Sequence, residues 1–330
     1  MFEGNSKKKI LLIRTSSLGD LVHSIPSIHA IKKSFDCEIS FLTNREYGEF
    51  VRCFNDVDRV LTFNRKQFTR GLIEIFYELR KERYDLVIDL QGLLKSAIIA
   101  SFARSPRKIG PSYHREFSHL FYDEIFGIKD MNRHAVERTF DVIKHLGIDF
   151  EKKEFPINLP PHGFEIPNEG KNIAIIGDAR WKSKLWPYDY FGRLSSMLIK
   201  EGFNVYLLGS SDDWKKGIQK FVDERTINLI GKTTIVELCS ILKDMNLVIS
   251  NDSGPMHIAA ALGVNVIALM GPTDPRRTGP FGDGHRVFSG RASCAPCFRK
   301  DCEDNICMKK ITPEEIFKAA KEMLQIPEQR

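Results

Sequence analysis

Four short segments concentrate side chains that can do chemistry. In the first, the apolar run Leu247–Ser250 leads into Asn251-Asp252-Ser253-Gly254-Pro255-Met256-His257. Asp252 or Ser253 suits a helix N-cap, Gly254 permits close backbone approach, and Pro255 suits the first helical position. Exposed amides and the helix dipole there make an anion site suited to phosphate, with His257 in the first turn. A well-capped helix start that binds nothing fits the spacing equally. The second segment, Gly177 to Pro187, crowds Arg180, Lys182 and Lys184 with Trp181 and Trp186 behind a strand. Lys184 can neutralise a diphosphate as a point charge; a lid or a packed loop base is the plain alternative. The third, Thr15-Ser16-Ser17-Leu18-Gly19-Asp20, sets three hydroxyls and a carboxylate at a strand-to-helix junction. Asp20 reads either as a helix cap or as a general base. The fourth is Cys294-x2-Cys297-x4-Cys302-x4-Cys307. Only one of its pairs has the Cys-x2-Cys spacing usual in zinc knuckles, so a metal site and a reduced thiol cluster both stay open.

The elements around these segments alternate in type. Short apolar runs at Ile10–Ile13, Ile39–Leu42, Val60–Phe63 and Leu86–Leu90 read as strands. Between and after them, Leu21–Ser34, Gly71–Glu82 and Ala135–Leu146 have helical spacing, with Gly147 placed to cap the last. Near Pro156, Pro160, Pro161, Gly163 and Pro167 neither period survives, which marks a linker. The alternation restarts with strands at Ile173–Ile176, Val205–Leu208, Leu247–Ser250 and Val264–Met270. Helices follow at Tyr188–Lys200, near Asp212–Asp223, from Pro255, and at Thr312–Leu324, where Thr312 and Glu315 form a capping box. The expected division is a domain over 1–158, a linker over 159–168, a domain over 169–311 and a closing helix over 312–330 packed back on the first domain. Alternating strands and helices imply parallel sheets covered on both faces, and two such domains present a cleft at their carboxyl strand ends.

Composition narrows the chemistry. The chain has 330 residues and a net charge of +6, with ordinary apolar and charged fractions. The opening residues fit no secretory signal, no apolar run approaches membrane-spanning length, and the seven cysteines are thinly spread. A cytoplasmic protein is expected. The first strand is not followed by Gly-x-Gly-x-x-Gly, and neither a phosphate-binding Gly-x-x-x-x-Gly-Lys-Ser/Thr loop nor a Gly-x-Ser-x-Gly elbow occurs. Nicotinamide, kinase and hydrolase readings therefore lose support. From Lys95 to Arg115 there are five basic residues and no acidic one, either a solvated surface or a contact for an anionic partner.

Taken together, six stretches in order resemble the ADP-heptose:lipopolysaccharide heptosyltransferases. They are Thr15–Asp20, Asp89–Ala97, His134–Thr139, Arg180–Pro187, Asn251–His257 and Gly271–Pro275. The middle stretches are most similar to the members that transfer the first heptose to Kdo-lipid A. The resemblance implies an α/β protein of the GT-B type, with two Rossmann-like doubly wound domains facing across a cleft. It implies an inverting transfer from ADP-heptose that uses neither metal nor cofactor. Asp20 matches the family's catalytic base. Arg180, Lys184, Asp252, Ser253, Gly254 and His257 match the donor side; the stretch after Gly209 departs from the family's acidic ribose contact, for which Asp212 is the candidate. Ser17, Lys95, Arg115, His134 and Arg138 match the acceptor side. Asp178 stands where a small or hydroxyl residue is expected. The implied partners are ADP-heptose, Kdo-lipid A and the cytosolic face of the inner membrane, with no nucleic acid. A second-heptose transferase, another GT-B nucleotide-sugar enzyme, and a two-domain small-ligand-binding protein are the competing readings.

Overall fold

The computed structural model describes residues 7–167 and 169–325. The chain divides into two compact units between Asn158 and Leu159. The first runs β1 (Lys8–Ile13), α1 (Leu18–Ser34), β2 (Cys37–Asn44), α2 (Gly48–Val51), β3 (Arg59–Phe63), α3 (Phe68–Arg80) and β4 (Leu86–Asp89). It continues with α4 (Leu94–Phe102), β5 (Lys108–Pro111), β6 (Glu124–Phe126) and α5 (Ala135–His145). Its six parallel strands lie in the order β3-β2-β1-β4-β5-β6. The apolar runs of β1 and β4 are buried because helices cover both faces of the sheet, as parallel sheets require. Leu11, Ile13, Leu42, Leu61, Ile75, Leu79, Val87 and Ile99 form one side of the core. On the other side, α1 is buried from Leu21 to Ile31 and packs on α5.

The second unit repeats this plan. It runs β7 (Asn172–Ile176), α6 (Tyr188–Lys200), β8 (Asn204–Leu208), α7 (Asp212–Ile218), β9 (Ile227–Asn228), α8 (Ile235–Lys243) and β10 (Leu247–Asn251). Then come α9 (Gly254–Ala261), β11 (Val266–Met270), α10 (Pro275–Thr278), β12 (Arg286–Ser289), α11 (Ile306–Lys309) and α12 (Pro313–Met323). Its strand order is β12-β11-β10-β7-β8-β9, again all parallel. Counted from each unit's first strand, both sheets have the order 3-2-1-4-5-6, the doubly wound nucleotide-binding arrangement. In that arrangement ligands meet the carboxyl strand ends where the order reverses, here beside β1 and β4 and beside β7 and β10.

Several boundaries differ from the sequence reading for local reasons. Helix α1 starts at Leu18, three residues early, because Ser17 is its N-cap and Asp20 completes the capping box. Strands β5, β6, β9 and β12 carry no long apolar run and escape the periodicity argument. The stretch around Pro156 is tied at its start to the first unit: the Asn55 amide donates to the Pro156 carbonyl at 3.1 Å and the Asn158 amide to the Cys53 carbonyl at 2.8 Å. The closing helix departs from the expected packing on the first domain. Its Ile316, Ala319 and Ala320 are buried in the core of the second unit, and α12 packs on α6 and β11. Lys321 reinforces this with an ion pair to Glu201 at 2.6 Å.

Gly177 ends β7 where a Cβ would overlap the indole ring of Trp214. That buried ring donates from Nε1 to the Leu208 carbonyl at 3.0 Å, so it is not free to yield. Gly177→Ala should therefore destabilise the protein by about 1–3 kcal/mol through overpacking, measured by denaturant unfolding.

Candidate functional site

In the first unit, polar groups gather at the carboxyl ends of β1 and β4. Arg14 follows β1 directly, and its buried guanidinium pairs with Asp20 Oδ1 at 2.9 Å. It also donates to the Leu90 carbonyl and to the Tyr113 hydroxyl at 3.5 Å. Asp20 Oδ2 accepts from the Ser17 amide and hydroxyl, each at 2.9 Å. Burial alone would raise the Asp20 pKa. The Arg14 and His23 charges and the Ser17 hydrogen bonds overcome it and hold the carboxyl well below the ordinary carboxylate value. The side chain is still 35% exposed, so the ionised carboxylate is reachable from solvent although both oxygens are engaged. The cap and the base readings of Asp20 are thus compatible: the capping box fixes the carboxylate without enclosing it.

The segment starting at Asp89 braces this loop. Buried Asp89 accepts from the Gln91 amide at 2.7 Å, the Gly92 amide at 3.2 Å and the Tyr122 hydroxyl at 2.6 Å. Burial nonetheless raises its pKa, the hydrogen bonds opposing. Gln91 Oε1 in turn accepts from the Thr15 and Ser16 amides at 3.1 Å each. Beside them Thr15, Ser16, Asn44, Arg65, Gln91 and Lys95 line a cavity of about 80 Å³. Exposed Lys95 lies 5.8 Å over the Phe68 ring. Arg115 is exposed, its amide donating to the Gly92 carbonyl at 2.8 Å.

His134 and Arg138 join the Asp20 cluster through residues the sequence reading did not name. His134 is the N-cap of α5, its Nδ1 accepting from the Val136 amide at 3.2 Å. Its ring meets the His23 ring edge-on at 5.6 Å. Arg138 stacks over the Tyr113 ring at 5.3 Å, and Tyr113 donates to the Leu90 carbonyl at 3.1 Å. A single patch thus contains Asp20, His134 and Arg138, linked by Arg14, His23 and Tyr113. Arg14 had a sequence signal, a cation at the end of a buried apolar run. Tyr113 had none.

In the second unit, Lys184 and the start of α9 are adjacent. Lys184 Nζ pairs with Asp252 at 2.7 Å and lies 4.6 Å over the Trp181 ring. Asp252 is buried and also accepts from the Thr273 hydroxyl at 2.6 Å. Its carboxylate holds the lysine in place. Ser253 is the N-cap of α9 in extended conformation, and its side chain makes no capping hydrogen bond to the first-turn amides. Gly254 opens the helix, Pro255 follows it, and His257 is buried in the first turn. Asn251, fully buried, braces the two loops. Its Nδ2 donates to the Gly177 carbonyl at 2.7 Å and its Oδ1 accepts from the Trp186 amide at 3.3 Å. Arg180 is exposed on the same loop.

Asp178 and Asp212 both bear on the loop after β8. Asp178 accepts from the Ser210 amide at 2.5 Å and from the Ser211 amide and hydroxyl at 3.2 and 2.5 Å. It staples the loop after β8 to the end of β7, and Gly209, at φ +140°, allows the close approach. Asp212 is exposed in the first turn of α7.

The cysteine segment is structural in its contacts. The Ser183 hydroxyl donates to the Arg299 carbonyl at 2.6 Å, Asn305 Nδ2 to the Leu185 carbonyl at 2.8 Å, and Trp186 Nε1 to the Ile311 carbonyl at 2.9 Å. The loop bearing Lys184 is therefore moored to residues 299–311. Cys294, Cys297, Cys302 and Cys307 are free thiols, and burial pushes the Cys307 thiol pKa up. Among the described residues, no group of three or more His, Cys, Asp or Glu side chains is placed to hold a metal ion.

Comparison with known proteins bears directly on this arrangement. Lipopolysaccharide heptosyltransferase 1 of Pseudomonas aeruginosa is 23% identical over 97% of this chain and 99% of its own length. The solved glycosyl transferase family 9 structure from Veillonella parvula superposes with a TM-score of 0.86 at 20% identity, covering 98% of this chain and 99% of that one. The E. coli heptosyltransferase WaaC, solved with ADP, gives a TM-score of 0.79 at 23% identity, covering 96% and 99%. These likenesses establish the fold as α/β of the GT-B type, with two Rossmann-like domains. The family model described as Glycosyltransferase family 9 (heptosyltransferase) matches residues 72–307, a span that takes in parts of both units, including the Asp89–Gln91 brace and the Lys184 and Asp252 loops, and begins after the Arg14–Asp20 loop. The chain belongs to glycosyltransferase family 9, the heptosyltransferases.

Proposed function

We propose that this protein transfers a heptose from ADP-heptose to the Kdo of Kdo-lipid A in lipopolysaccharide core synthesis, at the cytosolic face of the inner membrane. The observation that carries the reading is the division of charge between the units. One offers an ionised, partly exposed carboxylate, Asp20. The other offers a cation, Lys184, beside a helix start whose side chains leave the first-turn amides uncapped. The first is the equipment of a base and the second that of a diphosphate site. Similarity to relatives named for heptosyl transfer, and to a neighbour solved with ADP, supports the same donor.

In this mechanism the diphosphate of ADP-heptose lies against the Ser253–Gly254 backbone, with Lys184 adding charge. Arg180 and His257 flank it, Asp212 serves the ribose, and Asp252 positions Lys184. Lys95, Arg115, His134 and Arg138 hold acidic groups of the acceptor, and Ser17 steadies the base. Asp20 takes the proton of the acceptor hydroxyl. That oxygen bonds to the anomeric carbon as the bond to the diphosphate oxygen breaks. ADP leaves with the electron pair, and the anomeric centre inverts. Lys184 and the α9 dipole stabilise the developing charge without a metal, a preorganised electrostatic contribution often among the largest in catalysis.

Four outcomes are expected. Calorimetry should register binding of ADP in preference to UDP and GDP, and Lys184→Ala should weaken kcat/KM for ADP-heptose by about 10²–10³-fold; equal affinity for the three nucleotides removes the donor assignment. Asp20→Asn should slow the chemical step ~10²–10⁴-fold in single-turnover assays, with near-normal turnover returning Asp20 to a purely capping role. Since Arg14 helps to depress the Asp20 pKa, activity is lost only as pH falls through that low value. Arg14→Met should move the acid limb of the pH–rate profile upward, toward the ordinary carboxylate value of 3.8.

A further inference from the structure

Helix α3 has two unlike faces. Gly71, Ile75 and Leu79 are buried against the core of the first unit. On the opposite side, at helical spacing, Arg70, Ile73, Tyr77 and Arg80 point outward. Ile73 is 59% and Tyr77 65% exposed, large values for apolar side chains in the middle of a helix. Phe68, 39% exposed, stands at the start of the helix. Basic residues border this stripe: Arg65 and Lys66 before it, Arg70 within it, Arg80 and Lys81 at its end. Two acidic residues, Glu74 and Glu78, stand against these five basic ones, and both are engaged. Glu74 pairs with Arg70 at 2.9 Å, and Glu78 with Arg59 and Lys81 at 2.5 Å each. The surface therefore has an apolar centre, a tyrosine and a net positive rim.

We infer that the outer face of α3 is a docking surface for an anionic phospholipid bilayer. A helix lying in the plane of a membrane interface needs a short apolar stripe, an interfacial aromatic and flanking cations that reach the headgroups, and α3 supplies each. Among the described residues no helix is long and apolar enough to cross a membrane, so attachment of this chain calls for such a surface. In the same unit, exposed Phe117, Leu120 and Ile128, at 75%, 73% and 68%, lack the charge: Glu116, Asp123, Glu124 and Asp130 outnumber Arg115 and Lys129 there. Charge complementarity thus favours α3 over that surface. The inference rests on the proposed lipid-linked acceptor for its biological sense, because α3 opens beside the cavity that Arg65 and Lys95 line.

The test uses the full-length protein with vesicles of phosphatidylethanolamine and phosphatidylglycerol, and with vesicles of phosphatidylcholine alone. Co-sedimentation should occur with the anionic vesicles and fade as salt is added. Lys66→Gln and Arg80→Gln should each weaken partition by about fivefold. Ile73→Asn with Tyr77→Asn should weaken it at least as much. All of these variants should turn over a deacylated, water-soluble acceptor at the parental rate and lose activity only on acceptor embedded in vesicles. Equal binding to neutral and anionic vesicles, or partition unchanged in the variants, overturns the inference. So does a dimer in sedimentation velocity that Tyr77→Asn dissolves, since the face then belongs to a second copy of the chain. Failure of transfer to either acceptor counts instead against the heptosyl reading and leaves the sedimentation result to stand alone.

Discussion

A carboxylate drawn into a protein loses hydration and protonates unless something replaces the water. At Asp20 the replacement is Arg14, with the capping hydrogen bonds of Ser17. This compensation underlies the whole upper edge of the first unit. Arg14 is held by the Leu90 carbonyl and Tyr113, Tyr113 lies under Arg138, and Gln91 ties down the loop between Arg14 and Asp20. An acidic group stays charged and accessible because the groups around it are rigid.

The second unit solves the opposite problem with the same topology. There a cation is held in place, in the proposed mechanism for the donor's diphosphate. Asp252 and Thr273 anchor Lys184 from below, and Asn251 joins the ends of β7 and β10. Both sheets have the strand order 3-2-1-4-5-6, so both place their functional loops at the reversal between the first and fourth strands. One backbone plan has thus been given opposite electrostatic signs. Sheet packing accounts for the shared plan, and a handful of loop residues accounts for the difference.

The layout was legible in the sequence because buried parallel strands leave continuous apolar runs, and β1, β4, β7, β10 and β11 all do. The short outer strands β6, β9 and β12 were not, since β6 and β12 mix exposed positions into the strand and β9 is only two half-buried residues long. Asp20, Lys184 and the Asp252–Gly254 turn stood out because charge and glycine at the end of an apolar run is an unusual combination. Of their supports, Gln91 and Thr273 fell within the resembling stretches with no role of their own, and Tyr113 fell outside them all. Tyr113, Gln91 and Thr273 act through contacts distant in the chain, and a pattern of spacings carries no record of a bond between positions 14 and 113. The direction of Asp252 was likewise beyond the sequence, which places a carboxylate near Lys184 without saying that the two are paired.

That pairing changes how affinity should be understood. Lys184 is never a bare charge waiting in solvent, because Asp252 already engages it at 2.7 Å. In the proposed mechanism, an arriving phosphate oxygen competes for, or shares, an ammonium that is already satisfied. The free energy released would then be a difference between two ion pairings rather than the full strength of one. Such an exchange would keep the grip on a spent nucleotide loose, so the feature that orders the lysine would also ease the site's return to its resting state.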